Sequence, residues 1–212
     1  MRLKTLDLRL RAAYDLVDAC ERYADIGADH GLLPLHLVAG GKVERPIVSD
    51  ISAPALQKAR DIFARHGLEA DFRVADGLKA LDVPMDFISI LGMGGDTLLS
   101  ILNAGKEKLG NATLVLSPHT HLKRVRQGLN ALGYVFEKEA LVFEGRRFYV
   151  LLRVKKGEAA YTEKEYALGP CFLKEPPPLF IEYLLWQKKV LILSGSEDIK
   201  FVEEAIECLS KN

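Results

Sequence analysis

The sequence predicts an α/β fold: a doubly wound, mostly parallel sheet that ends in an antiparallel hairpin and is followed by a helical hairpin. Five short apolar runs are each followed by a helical pattern, as strands buried on both faces of a parallel sheet require. Two longer β-rich runs then flank Glu144-Gly145-Arg146, a short Gly-containing turn that predicts an antiparallel hairpin. After the polar joint Lys155-Lys156-Gly157-Glu158 the β patterns stop and only helical periodicity remains. The expected division is a sheet domain over 1–154 and a helical, coiled-coil-like domain over 155–212.

Taken in order, Leu6, Leu10, Ala13 and Val17 mark a first amphipathic helix with Arg2, Lys4, Arg9 and Arg11 around it. Tyr23-Ala24-Asp25-Ile26 is a short strand, and Gly27 and Gly31 hinge a turn into a helix opening at Leu32-Leu33-Pro34. Such a turn lets bare backbone approach a ligand at a helix N-terminus. Pro46-Ile47-Val48-Ser49-Asp50 is the second strand, and the helix behind it carries Leu56, Ala59, Ile62 and Phe63 on one face. Phe72-Arg73-Val74-Ala75-Asp76-Gly77 is the third strand, again ending in an acid. The fourth, Phe87-Ile88-Ser89-Ile90-Leu91, runs into a Gly92-Met93-Gly94-Gly95 loop, and Thr113 to Pro118 is the fifth. Tyr134 to Phe143 and Arg147 to Val154 form the hairpin. Beyond the joint, Pro176-Pro177-Pro178 starts a helix that continues to Leu191 with Phe180, Ile181, Leu184 and Leu185 on its apolar side. Gly195 stops it, Ser196 caps the next, and Ile199, Val202, Ala205, Ile206 and Leu209 line the last helix.

The chemistry is concentrated at the strand ends. A Rossmann-type dinucleotide turn wants Gly-x-Gly-x-x-Gly, and here Asp29 stands at the second glycine position. A pyrophosphate would be repelled by that carboxylate, whereas the sulfonium and ammonium of S-adenosylmethionine would not. Asp50 follows about 20 residues later, where a carboxylate can accept both ribose hydroxyls. Asp76 is placed to grip an adenine amino nitrogen. One acid at a strand end is more simply a helix cap. Asp25, Asp29, Asp50 and Asp76 converging on the ligand-binding edge of a parallel sheet point to a methyltransferase-like nucleotide pocket instead. The expected cofactor set is Asp25, Gly27, Asp29, His30, Asp50, Ile51, Asp76, Gly77 and Gly92. A parallel sheet ending in a hairpin is also the class I methyltransferase variation on the Rossmann-like plan.

These residues resemble the bacterial tRNA (adenine-22-N1)-methyltransferases. The resemblance is carried by Ala24-Asp25-Ile26-Gly27-Ala28-Asp29-His30 with Leu33-Pro34, by Leu91-Gly92-Met93-Gly94-Gly95 and by Leu116-Ser117-Pro118. Arg9-Leu10 and Leu168-Gly169-Pro170 also agree, so the likeness runs over most of the chain. Ser117-Pro118-His119 stands where the family typically has Gln-Pro-Asn, Asp50 where it often has Glu, and Gly31 where it commonly has Ala. The resemblance implies S-adenosylmethionine as cofactor, tRNA as partner and adenine 22 as target. Adenine N1 has an in-plane lone pair and can attack a sulfonium methyl without first losing a proton. A catalyst therefore needs alignment and a negative group near the developing ring charge. Asp29 is the candidate, a structural role in holding His30 or capping the helix being the alternative. Gly92, Met93 and Gly94 occupy the place where amino-adenine enzymes carry Asn/Asp-Pro-Pro-aromatic, which argues against amino methylation. No cysteine lies at a strand end, which argues against covalent pyrimidine chemistry.

Expected substrate contacts are His30, Pro118 and His119 at the pocket, then Lys123, Arg124, Arg126, Arg146 and Arg147 toward phosphates. A paired adenine must leave its stack to reach such a pocket. The 29 basic and 29 acidic residues balance to zero net charge, so any basic RNA surface must arise by segregation. Three scattered cysteines favour a reducing, cytoplasmic setting. His119 and His121 lack a third ligand, so no metal is expected. No signal-like or membrane-spanning run is seen, and a monomer is expected. Two other readings stay open: a methyltransferase acting on a small molecule or protein, and a non-catalytic protein that binds cofactor or tRNA.

Overall fold

The structure, a computed structural model, describes residues 3–211; Arg2, expected beside the first helix, lies outside them. Seven strands form one sheet in the order β3-β2-β1-β4-β5-β7-β6. They are β1 (Tyr23–Ile26), β2 (Ile47–Asp50), β3 (Asp71–Val74), β4 (Phe87–Met93), β5 (Thr113–Pro118), β6 (Tyr134–Glu144) and β7 (Arg147–Lys156). The first five are mutually parallel, and β7 runs antiparallel to both β5 and β6. Because β1 pairs β2 on one side and β4 on the other, the winding reverses there. A crevice opens beyond the carboxyl ends at such a switch point.

The β4 end departs from the sequence expectation. The strand continues through Gly92 to Met93, with a register shift against β5 between Leu91 and Met93. Gly92 sits at φ 75°, a conformation that only glycine adopts without strain, and so lets the bulge form. The hairpin turn is tighter than expected: only Gly145 and Arg146 separate β6 from β7, at φ 55° and 67°. Positive φ at both positions is what a two-residue turn between twisted strands demands.

Helix α1 (Leu8–Leu16) starts at Asp7, whose Oδ1 accepts from the Leu10 amide at 2.7 Å. It crosses the β6–β7 side, burying Ala13, Leu16 and Val17 with Tyr23, Val115 and Leu151. Helices α2 (Leu32–Ala39), α3 (Ala53–Arg65), α4 (Gly95–Ala104) and α5 (Leu122–Ala131) follow their strands. The chain after β7 forms α6 (Glu163–Leu168), α7 (Pro170–Lys174), α8 (Phe180–Ser194) and α9 (Ile199–Leu209). Their Leu168, Phe172, Phe180, Leu184 and Val202 join the core that contains Ile88, Leu114 and Leu152 of the sheet. Beyond Lys156, then, the helices share the sheet's own core. Two boundaries differ from expectation. Helix α8 begins at Phe180 rather than at the prolines, and Asp198 takes the N-cap position of α9 while the Ser196 hydroxyl accepts from its amide at 3.3 Å.

Candidate functional site

A cavity of about 900 Å³ lies at the switch point, within the range of small-molecule clefts. The strand-end residues reach it because each parallel strand delivers its last side chain to the same edge. Asp25, Gly27, Asp29, His30, Asp50, Ile51, Asp76, Gly77, Gly92, Met93 and His119 all line it.

Asp25 is the deepest carboxyl group, 4% exposed. It accepts a short hydrogen bond from the Ser89 hydroxyl, which is itself 2.6 Å from the buried Tyr23 hydroxyl. Burial pushes its pKa up to about 7; the Ser89 hydrogen bond and the Arg9 charge pull down, and the Asp50 charge pushes up. Asp50 holds the turn together: Oδ2 accepts from the Asp29 amide at 3.0 Å and Oδ1 from the Ser52 amide at 2.8 Å. Each of those oxygens keeps a second lone-pair direction for a ligand hydroxyl. Asp29 is thereby fixed at φ 47°, a left-handed conformation that Asp tolerates better than most residues. Its carboxylate stays 70% exposed, with Oδ1 3.3 Å from Nδ1 of His30. Asp76 lies beyond the end of β3, and its Oδ2 accepts from Lys79 Nζ at 2.8 Å. The wall is acidic, which suits a cationic ligand and opposes a pyrophosphate.

On the other side His119 directly follows β5, its amide donating to the Met93 carbonyl at 2.8 Å. Its ring lies edge-on to Tyr149, centroids 5.7 Å apart, and the Arg9 guanidinium lies 5.8 Å from the centroid of the Tyr149 ring. Partial burial lowers the His119 pKa, and the charges of Arg9 and Arg147 lower it further, which favours the neutral imidazole. A neutral imidazole can donate from one nitrogen and accept at the other.

Several expected residues lie elsewhere. Gly94 is the N-cap of α4, off the cavity wall, and Pro118 is buried in the sheet opposite Met93. Arg126 is not available to phosphate. It is completely buried, its Nη2 lies 2.8 Å from the equally buried Glu139, and its Nη1 donates to the carbonyls of Tyr166 and Ala167. Lys123 is likewise engaged, bridging Glu163 at 2.8 Å and Asp198 at 2.7 Å. Both side chains tie α5 to the C-terminal helices, because α5 turns its basic positions inward there as well as outward. Arg124 is 71% exposed and lies 3.1 Å from Asp96 on the cavity rim, and Arg146 and Arg147 are exposed at the hairpin tip. His121 pairs with the other Asp96 oxygen at 2.8 Å. Among the described residues no cluster of His, Cys, Asp or Glu has the makings of a metal site.

Sequence reasoning assigned no role to Arg9, Ser89, Asp96 or Tyr149. Arg9 and Asp96 line the cavity, and Ser89 and Tyr149 back residues that do. Arg9 had one signal, its place in the Arg9-Leu10 pair, but only the folding of α1 back across β7 brings it to Gly92 and His119.

The model of the family described as tRNA (adenine(22)-N(1))-methyltransferase matches residues 23–203. A Bacillus subtilis (strain 168) protein named tRNA (adenine(22)-N(1))-methyltransferase is 30% identical over 187 residues, 84% of this chain and 79% of that one. The crystal structure of Streptococcus pneumoniae Sp1610, a candidate tRNA (m1A22) methyltransferase, superposes with a TM-score of 0.89 at 26% identity, covering 95% of this chain and all of that one. Its complex with S-adenosyl-L-methionine gives a TM-score of 0.86 at 27% identity, covering 98% and 99%.

Proposed function

This chain belongs to the tRNA (adenine(22)-N(1))-methyltransferase family, and from that premise we infer how its own residues carry the reaction. It is an S-adenosylmethionine-dependent enzyme that methylates N1 of an adenine in tRNA. The observation that supports the residue assignments is the convergence of Asp25, Asp29, Asp50 and Asp76 on one cavity at the switch point.

S-adenosylmethionine supplies an electrophilic methyl group and leaves as a neutral thioether. The donor set fits it. Asp50 would hold the ribose hydroxyls through its free lone pairs, Asp76 and the Gly77 backbone would hold the adenine, and the buried Asp25 carboxylate would meet the ammonium. Gly92 and Met93 bring backbone close to the base, and the neutral His119 hydrogen-bonds its edge. Asp29 faces the ring as N1 becomes alkylated and stabilises the positive charge that develops there. No proton needs to be removed before attack, so Asp29 acts through its charge and alignment. The exposed Arg124, Arg146 and Arg147 contact phosphates. The enzyme works as a cytoplasmic monomer on this reading; among the described residues no helix is long and apolar enough to cross a membrane.

The test is methyl transfer from labelled S-adenosylmethionine to tRNA, followed by nucleoside mass analysis and mapping of the modified site. Label in 1-methyladenosine at position 22 is expected; label in another nucleoside would overturn the reading.

Asp25 gives the cofactor affinity a pH dependence. With its pKa at about 7 the carboxyl is largely protonated at pH 6 and must lose that proton to pair with an ammonium. Affinity for S-adenosylmethionine should therefore rise roughly fivefold between pH 6 and pH 7, where the α-amino group stays charged. In the free protein the raised pKa has the opposite sign. The stability it contributes is complete below the unfolded carboxyl pKa of about 4 and is lost as pH climbs through about 7. Calorimetric titrations at the two pH values check this; an Asp25→Asn enzyme should bind more weakly and with a flat profile.

A further inference from the structure

On the outer side of the closing hairpin lies a group of aromatic rings that the reaction chemistry does not use. Phe143 and Phe148 face each other across the turn with centroids 4.7 Å apart. Phe148 meets Trp186 of α8 at 5.8 Å and Tyr183 at 5.5 Å, and Tyr183 and Trp186 stack at 5.9 Å with 23° between their planes. Tyr183 is buried beneath, yet Phe143 remains 46% and Trp186 45% exposed. Two half-open aromatic rings, each packed on Phe148, mark a contact surface rather than a core. The tip between the two phenylalanines carries Arg146 and Arg147, neither of which forms an ion pair among the described residues. Tyr149, and Arg147 two residues before it, stand on the opposite face of β7 from Phe148, where Tyr149 packs on His119, so the hairpin tip lies between the patch and the cavity.

We propose that Phe143 and Trp186 form a stacking platform for a tRNA base other than the target adenine, with Arg146 and Arg147 holding the adjoining phosphates. This rests on the reading of the chain as a tRNA methyltransferase. Aromatic faces beside unpaired cations are the combination that binds unpaired nucleotides, since every base offers a π-face and every linkage a charge. A second copy of the chain fits the patch less well, because a two-fold contact centred on it would set the arginine tips against each other. The exposed Ile181, Leu185 and Ile192 lie on a different edge of α8, set apart from Trp186 by Glu182 and Lys189 at about 100° of turn per residue, whereas the exposed Val190 and Leu193 continue the Trp186 edge toward the end of the helix.

Trp186 is the only tryptophan in the chain, so its emission reports this patch directly. The enzyme saturated with S-adenosylhomocysteine is titrated with tRNA, correcting for RNA absorbance, while tRNA retention is followed in parallel on filters. Quenching that saturates together with retention is expected, and Phe143→Ser should raise the KM for tRNA about five- to tenfold with kcat and cofactor affinity unchanged. Silent emission with tRNA bound, or an unchanged KM in Phe143→Ser, overturns the platform while leaving the methyltransferase reading intact. Emission that shifts with protein concentration alone, with elution at twice the chain mass, assigns the patch to a second copy and also overturns it. Absence of both tRNA retention and 1-methyladenosine sinks the functional reading and the platform with it.

Discussion

An Asp29→Asn enzyme is expected to methylate tRNA about 100-fold more slowly, with affinity for S-adenosylmethionine and thermal stability close to those of the parent. The reason lies in how Asp29 is held. Its backbone is fixed at φ 47° by the hydrogen bond from its amide to Asp50, and Asn adopts that conformation at least as readily. The substitution therefore leaves the turn in place and removes only the charge. That charge is not needed to bind ribose, a task the geometry gives to Asp50. It is needed where N1 alkylation makes the adenine ring cationic. Single-turnover rates with saturating cofactor and tRNA separate the chemical step from binding. A rate within a few-fold of the parent would reduce Asp29 to a partner for His30 in shaping the turn.

Arg126→Ala is expected to cost about 3–5 kcal/mol of folding stability, read as a lowered urea midpoint. The change strands the buried Glu139 carboxylate and orphans the carbonyls of Tyr166 and Ala167. Glu139 would still accept from the Cys171 amide at 2.9 Å, but one hydrogen bond does not replace a guanidinium in a dry site. Combining Arg126→Met with Glu139→Gln should recover part of the loss, because the buried charge then disappears while the Cys171 acceptor remains. If Arg126 instead served phosphate binding, Arg126→Ala would leave the midpoint in place and weaken tRNA binding with a smaller salt dependence.

The two predictions mark the line between what was legible in the sequence and what was not. Asp29 could be singled out because a strand, a glycine turn and a helix start are local events. Period and punctuation over about a dozen residues specify them. Asp50 and Asp76 were legible for the same reason, each closing an apolar run that a parallel sheet must bury on both faces. Chain reversal at β1 then brings those ends together without further information from side chains. Arg126 could not be sorted from Arg124 in that way. Both sit in the basic turn of α5, and a helical repeat says which residues share a face but not what that face meets. Burial of Arg126 is decided by Glu139 on β6 and by the carbonyls that end α6.

The sequence by itself determined the α/β class and the acids that close its strands, because backbone periodicity and turn chemistry are properties of adjacent residues. Only the tertiary structure decided which charges are free. It turned Lys123 and Arg126 into internal ties, left Arg146 and Arg147 open at the hairpin tip, and carried Arg9 from the first helix to the cavity wall. The physical reason is that a charge is spent or spared by desolvation and by its partner, and both are supplied by parts of the chain far away in sequence.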